Sequence, residues 1–256
     1  MHILVTNDDG IRAPGLLALA QRLRSLGDIS VVAPDRNWSA SGHVKTMHRP
    51  LRVQHTELAD GTPAVSSDGA PSDCVALALL GLVEAPIDLL VSGINPTANV
   101  GHDLTYSGTV TAAMEGAIAG VPSMAISLDT PDDFEGPLDF EPASQVALQL
   151  ASKLMSTEPP EKMLINVNVP FGPAAANAPW SMTRQGLRIY RDQLVKRRDP
   201  RGRPYYWIGG DPPSGVLEAG TDFWALDQGL VSITPLKLDF TDYGSTDTFQ
   251  SLLLGS

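Results

Sequence analysis

The sequence predicts an α/β fold, a mostly parallel sheet with helices on both faces, followed by a β-hairpin arm near the carboxyl end. Three observations predict it. Short apolar runs alternate with helix-period segments through the first two-thirds of the chain, as strands alternate with covering helices. Polar, oxygen-rich loops directly follow three of those runs, where ligands of open α/β sheets gather. After Pro170 the composition shifts, and 8 of the 18 Lys and Arg residues fall between Arg184 and Arg203.

Taken in order, His2-Ile3-Leu4-Val5 is short, apolar and reads as a buried first strand. A helix follows from Pro14 to Leu26, with Pro in its first turn and Gly27 as a stop. Ile29 to Ala33 is the second strand, and Leu51 to Thr56 alternates like a half-exposed one. Pro71 to Val83 reads as a helix and Ile87 to Val91 as a buried strand. Thr109 to Ala119 is helical, Met124 to Ser127 extended, Glu141 to Met155 an amphipathic helix, and Met163 to Val169 a strand. The Pro/Ala/Gly-rich run from Phe171 to Pro179 reads as a long loop. Trp180 to Gly210 is strand-like, basic and aromatic, turning at Asp199-Pro200-Arg201-Gly202, which predicts an arm projecting from the core. Tyr190, Tyr205, Tyr206 and Trp207 interleave with its charges, a composition that suits contact with a second subunit. Gly229 to Leu236 returns to a core-like strand.

The 256 residues accommodate one large α/β domain with an elaboration, or two small ones. No apolar run approaches the ~20 residues that span a bilayer, and the amino terminus lacks the basic and apolar regions of a signal peptide. The single cysteine, Cys74, permits no internal disulfide, which favours a reducing compartment, and its apolar surroundings mark it as a core residue. The net charge of −11 argues against a general nucleic-acid surface, though not against a small anionic substrate.

The stretch Thr6-Asn7-Asp8-Asp9-Gly10 carries the most chemical information. Two adjacent carboxylates at the end of an apolar strand are costly unless paired or bound to a cation. Gly10 permits the turn that lets both converge. The second loop, Asp35 to Gly42, offers Asn37, Ser39 and Ser41, and the third, Ser92 to Asn95, offers Asn95 and then Asn99. Carboxylates, a hydroxyl and an amide oxygen suit an octahedral Mg²⁺- or Mn²⁺-type ion. They suit zinc poorly, and the five histidines form no HxH or HExxH pattern. Tyr106-Ser107-Gly108-Thr109-Val110 leads into a helix. Capping is the default role of Ser or Thr there, and the same free N–H groups also make an anion site. No GxxxxGK[ST], GxGxxG or GxSxG motif is present, and the carboxylates are adjacent rather than spaced as Asp-x-Asp.

These blocks resemble the survival protein SurE family of metal-dependent nucleoside-monophosphate phosphatases. The resemblance covers Ile3 to Gly10 with Gly15, Val32 to Asn37 with Ser39 and Ser41-Gly42, and Val91 to Asn95 with Asn99, Gly101 and Asp103. It continues through Tyr106 to Val110, Ala113, Glu115-Gly116 and Gly120-Val121-Pro122. Asp73-Cys74-Val75, Asn166-Val167-Asn168-Val169-Pro170 and Val231 to Leu236 also fit. Two positions depart from the family pattern: Pro96-Thr97 follows the third-loop Asn where Gly is usual at the second place, and Gly69-Ala70-Pro71 replaces Gly-Thr-Pro.

The resemblance implies a cation held by Asp8, Asp9, Ser39 and Asn95, and a phosphate pocket lined by Asn99, Ser107, Gly108 and Thr109. It implies a Rossmann-like core in one domain over 1–256, with 180–210 as an arm swapped between subunits of a homodimer or homotetramer in the cytoplasm. The expected activity is that of a 5′-nucleotidase: divalent-metal-dependent hydrolysis of nucleoside monophosphates to nucleoside and phosphate. Asp8 and Asp9 would act catalytically, as ligands to an ion that activates water or with one of them as nucleophile. The alternative is a non-catalytic nucleotide- or metal-sensing protein on the same fold.

Overall fold

A computed structural model describes residues 1–157, 159–160 and 162–254. The first half contains strands β1 (His2–Thr6), β2 (Asp28–Pro34), β3 (Val53–Glu57), β4 (Pro63–Ser67) and β5 (Leu89–Asn95). Then come β6 (Ser123–Asp129), β7 (Leu164–Pro170), β8 (Trp180–Met182), β9 (Arg188–Arg198), β10 (Pro204–Gly215) and β11 (Val231–Pro235). Strands β1 to β8 and β11 form one sheet in the order β3-β4-β2-β1-β5-β6-β7-β11-β8. Its six central strands, β4 to β7 in that order, are parallel throughout. Strand β3 adds an antiparallel edge, and β11 runs antiparallel to β7.

Strand periodicity sends alternate residues to opposite faces, and the core divides accordingly. Ile3, Val5, Leu89, Val91, Met124 and Ile126 pack under helices α1 (Pro14–Leu23) and α4 (Glu141–Met155). Leu4, Leu90, Ala125 and Leu164 face α2 (Pro71–Leu77) and α3 (Gly108–Ile118). Leu16, Leu19, Leu89 and Leu90 are all fully buried, so truncating any of them to Ala would cost about 2–5 kcal/mol. The expected Rossmann-like core with helices on both faces is present. Cys74 is buried among apolar neighbours, and burial raises its thiol pKa far above the usual range.

The boundaries differ in instructive places. Helix α1 stops at Leu23, and α2 continues past Leu77 as a wider turn that Gly81 ends at φ +120°. Strand β4 escapes sequence reading because Pro63-Ala64-Val65-Ser66-Ser67 begins with proline and is half polar. The segment expected as an arm, 180–210, starts inside the main sheet: Trp180–Met182 pairs with β11. The projecting hairpin is β9–β10, Arg188 to Gly215. Asp199 closes its turn, Oδ1 accepting from the N–H groups of Arg201 and Arg203. Two short helices, α5 (Asp222–Asp227) and α6 (Thr246–Leu254), complete the chain, and α6 buries none of its residues.

Candidate metal and phosphate site

At the carboxyl end of β1 the chain turns through Gly10, at φ +100°. Asn7 holds that turn with both ends of its amide: Nδ2 donates to the Gly10 carbonyl (3.1 Å) and Oδ1 accepts from the Gly10 N–H (3.2 Å). This donor of the first loop is therefore spent on shape, and Asp8 and Asp9 remain as the loop's carboxylates for other partners.

Asp8 is 4% exposed, and its Oδ1 accepts a 2.5 Å hydrogen bond from the Thr109 hydroxyl at the start of α3. Only glycine fits between them. A Cβ on Gly108 would lie 2.6 Å from the Asp8 Cβ, so no side chain at that position allows this approach. Burial raises the Asp8 pKa, opposed by the Thr109 hydroxyl and the helix-start N–H groups of Thr109 and Gly108. Burial, and secondarily the Asp8 charge, pushes the Asp9 carboxyl up to about 7. Among the described residues no Lys, Arg or His ion-pairs with either carboxylate. Two adjacent acids are thus held close with no cation supplied by the protein.

The loop after β2 is fastened to this turn. The Trp38 N–H donates to the Asp8 carbonyl (2.8 Å), and Ile11 N–H to the Pro34 carbonyl (2.8 Å). Asn37 Nδ2 donates to Asp9 Oδ1 (3.2 Å), while its Oδ1 accepts from the Ser39 N–H (2.7 Å) and hydroxyl (2.6 Å). Ser39 donates its own proton and so keeps oxygen lone pairs for a cation. The far end of the loop is tied to α3: Gly42 N–H donates to the Tyr106 carbonyl, and Thr111 Oγ1 to the Gly42 carbonyl. Glu115 pairs with His43 (2.9 Å) and Lys45 (3.2 Å) just beyond. Ser41 Oγ and Trp38 Nε1 are buried without a hydrogen-bond partner among the described residues.

The loop after β5 is placed by register, Thr6 lying opposite Ser92. Gly15 lets α1 press against it, since a Cβ there would sit 2.2 Å from the Ile94 carbonyl oxygen. Asn95 is 9% exposed, and its Nδ2 donates to the carbonyl (2.6 Å) and the hydroxyl (3.2 Å) of Thr97. The departure at Thr97 thus fixes the amide and leaves Oδ1, the end a hard cation wants, without a partner among the described residues. Asn99 is 8% exposed; its Nδ2 donates to Ser127 Oγ (2.9 Å), with its second amide N–H uncommitted among the described residues.

At the start of α3, Ser107 Oγ accepts from the Val110 N–H (3.2 Å), the ordinary capping role. With Ser107 capping, Thr109 on Asp8 and the Gly108 and Thr109 N–H groups directed at the same carboxylate, the donor left to an anion among the described residues is the second N–H of Asn99. No group of three or more His, Cys, Asp or Glu gathers as a metal cage among the described residues. A cation here takes two carboxylates and neutral oxygens, and Asp8, Asp9, Ser39 and Asn95 fit that donor set. A groove of about 680 Å³ along β2, β3 and β4, lined by His2, Ser30, His55 and Glu57, contains none of these residues.

Sequence reading passed over Asp222, a fully buried carboxylate at the start of α5. It accepts from the N–H groups of Gly101 and Gly186, each at 2.8 Å, joining the pocket loop to the base of the hairpin. Asp103 adds to that junction through Arg188 (3.0 Å) and the Tyr190 hydroxyl.

Residues 3–192 match the family model described as Survival protein SurE. The chain is 53% identical over 242 residues to "5'-nucleotidase SurE" of Herpetosiphon aurantiacus, covering 94% of each protein. It is 48% identical to "5'-nucleotidase SurE 1" of Thermus thermophilus, covering 100% of this chain and 99% of that protein. A crystal structure of the SurE protein from Aquifex aeolicus superposes with a TM-score of 0.82 at 38% identity, over 98% of this chain and 99% of that one. With the fold, the three linked loops and these similarities in agreement, the chain belongs to the survival protein SurE family.

Proposed function

We propose that this protein is a divalent-cation-dependent 5′-nucleotidase that hydrolyses nucleoside monophosphates to nucleoside and phosphate. The observation that carries the reading is the uncompensated pair Asp8–Asp9, held against the start of α3 by Thr109 and joined to oxygen donors on two further loops. The 5′-nucleotidase names of its relatives support it. In this reading Asp8, Asp9, Ser39 and Asn95 hold one Mg²⁺- or Mn²⁺-type ion. When bound, that ion supplies Lewis-acid stabilisation of the phosphoryl group and a more acidic water.

The chain's own residues do the rest. Thr109 and the helix-start N–H groups offset part of the burial that raises the Asp8 pKa and hold its carboxyl in place. Asn37 holds Asp9 through one hydrogen bond and Ser39 through two. The second amide N–H of Asn99, beside the Ser107-Gly108-Thr109 turn, donates to a phosphoryl oxygen of the bound substrate. Thr97 secures Asn95 instead of disturbing it, so that departure lends no support to a non-catalytic sensor.

The hairpin supports a homo-oligomer. Leu194, Trp207 and Ile208 are 70%, 65% and 81% exposed on a two-stranded element that is marginal when alone. Packing them on a second copy of the chain would bury them. No helix among the described residues is long and apolar enough to cross a membrane. With its single buried thiol, the protein suits the cytoplasm.

Phosphate release from a panel of nucleoside 5′- and 3′-monophosphates, sugar phosphates and nucleoside triphosphates, with Mn²⁺ present, tests the substrate class. Fastest turnover of 5′-monophosphates is expected, and no turnover of any nucleotide would refute the proposal.

A further inference from the structure

Strand β7 carries two asparagines, Asn166 and Asn168, that are fully buried where neighbouring Ile165, Val167 and Val169 supply the expected apolar residues. Asparagine is disfavoured in strand interiors and contributes no apolar burial there. Neither side-chain amide hydrogen-bonds within the sheet among the described residues. Both reach across to a single residue of the loop after β5. Asn166 Nδ2 and Asn168 Nδ2 donate to the Asn99 carbonyl at 2.8 and 2.9 Å, and Asn168 Oδ1 accepts from the Asn99 N–H at 2.8 Å. Strand β6 adds the fourth hold: Ser127, in register with both Asn95 and Asn168, accepts from Asn99 Nδ2.

Asn99 is therefore fixed at its N–H, its carbonyl and one side-chain proton by residues of two different strands. This has a cost in stability. Asn166 Oδ1 is buried with no partner among the described residues, and an unmet buried acceptor is unfavourable. Valine, close in size, would fill the same position without that penalty. A strand residue that burdens the core while gripping one pocket residue serves placement rather than stability.

We infer that Asn166, Asn168 and Ser127 are positioning residues that set Asn99, and with it the remaining amide N–H, for a phosphoryl group. The inference rests on the proposed phosphomonoesterase reading, with Asn99 as a phosphate donor. Because the grip is on Asn99 and not on Asn95, it acts on phosphate and leaves the cation alone.

The test uses the full chain with Mn²⁺, comparing wild type with Asn166→Val, Ser127→Ala and Asn168→Ala. Asn166→Val is expected to raise KM for a nucleoside monophosphate, and the inhibition constant of inorganic phosphate, by about tenfold, with kcat and Mn²⁺ affinity little changed. Its melting temperature is expected to hold or rise, since the unmet acceptor is gone. A lowered melting temperature with unchanged KM and phosphate inhibition would make the residue structural and overturn the inference. Should Asn168→Ala fail to fold, the other two variants carry the comparison. If wild type turns over no nucleotide but binds inorganic phosphate by calorimetry, the activity reading fails and the same variants still judge the inference by phosphate affinity. Wild type that binds no phosphate would overturn it.

Discussion

Thr109 donates its hydroxyl proton to Asp8 Oδ1 at 2.5 Å, linking the start of α3 to the end of β1 across 101 residues. The free N–H groups of a helix start ordinarily attract a solvent anion or a substrate phosphate. Here they hold a carboxylate of the protein itself, so the helix acts on a cation ligand first.

Thr109→Val should therefore weaken Mn²⁺ binding about 10–100-fold, the usual cost of losing a group that orients a metal ligand, and lower kcat/KM with it. Thr109→Ser keeps the hydroxyl and should restore most of both. A metal titration showing Thr109→Val equal to wild type would contradict this role.

Asp8→Asn should abolish turnover and metal affinity while the fold persists. Asn keeps an oxygen for the Thr109 hydroxyl and removes a buried acid whose pKa is raised by burial, so the metal-free protein should gain stability. Thermal unfolding in EDTA reads the sign: a loss of stability would contradict it.

Gly108→Ala places a methyl group 2.6 Å from the Asp8 Cβ. Relief requires moving either α3 or the Asp8 turn, at a cost of about 1–3 kcal/mol. Denaturant unfolding should show that loss, together with loss of Mn²⁺-dependent activity.

Glu115 is a half-buried carboxylate whose pKa is lowered by the His43 hydrogen bond first, then offset in part by burial and lowered further by Lys45. A depressed folded-state pKa adds stability that is complete above the unfolded value near ~4.3 and is lost as pH falls through the folded value. Glu115→Gln should cost about 1 kcal/mol at pH 7, and the gap to wild type should close as pH drops below that range. Urea unfolding at a series of pH values measures it. A gap that widens toward acid would have the wrong sign.

Wild type should sediment as a dimer or larger at micromolar concentration, and Ile208→Asp on the hairpin should shift it toward monomer. A wild-type monomer would remove the arm's proposed role.

Much of the fold was legible because strand runs such as Ile3-Leu4-Val5 and Leu89-Leu90-Val91 are continuously apolar, and helices such as Glu141–Met155 keep a clean period. Strand β4 was not, because its identity comes from pairing β2 rather than from Pro63 to Ser67 themselves. Trp180–Met182 joined the wrong element because three residues beside a basic hairpin carry no sign of their partner β11. The three oxygen-rich loops were legible as loops, and their lacing was not. That Asn7 is spent on Gly10, or Thr97 on Asn95, depends on backbone direction at a turn. The grip on Asn99 depends on register across three strands. Its one trace in the sequence is the two-residue spacing of Asn166 and Asn168 within an apolar run.

The most direct measurement is phosphate release from a nucleoside 5′-monophosphate as EDTA is titrated into the enzyme and Mn²⁺ is then restored. A site built from Asp8, Asp9, Ser39 and Asn95 predicts that activity falls to background with excess chelator and returns with excess metal. Full activity in excess EDTA would contradict the account.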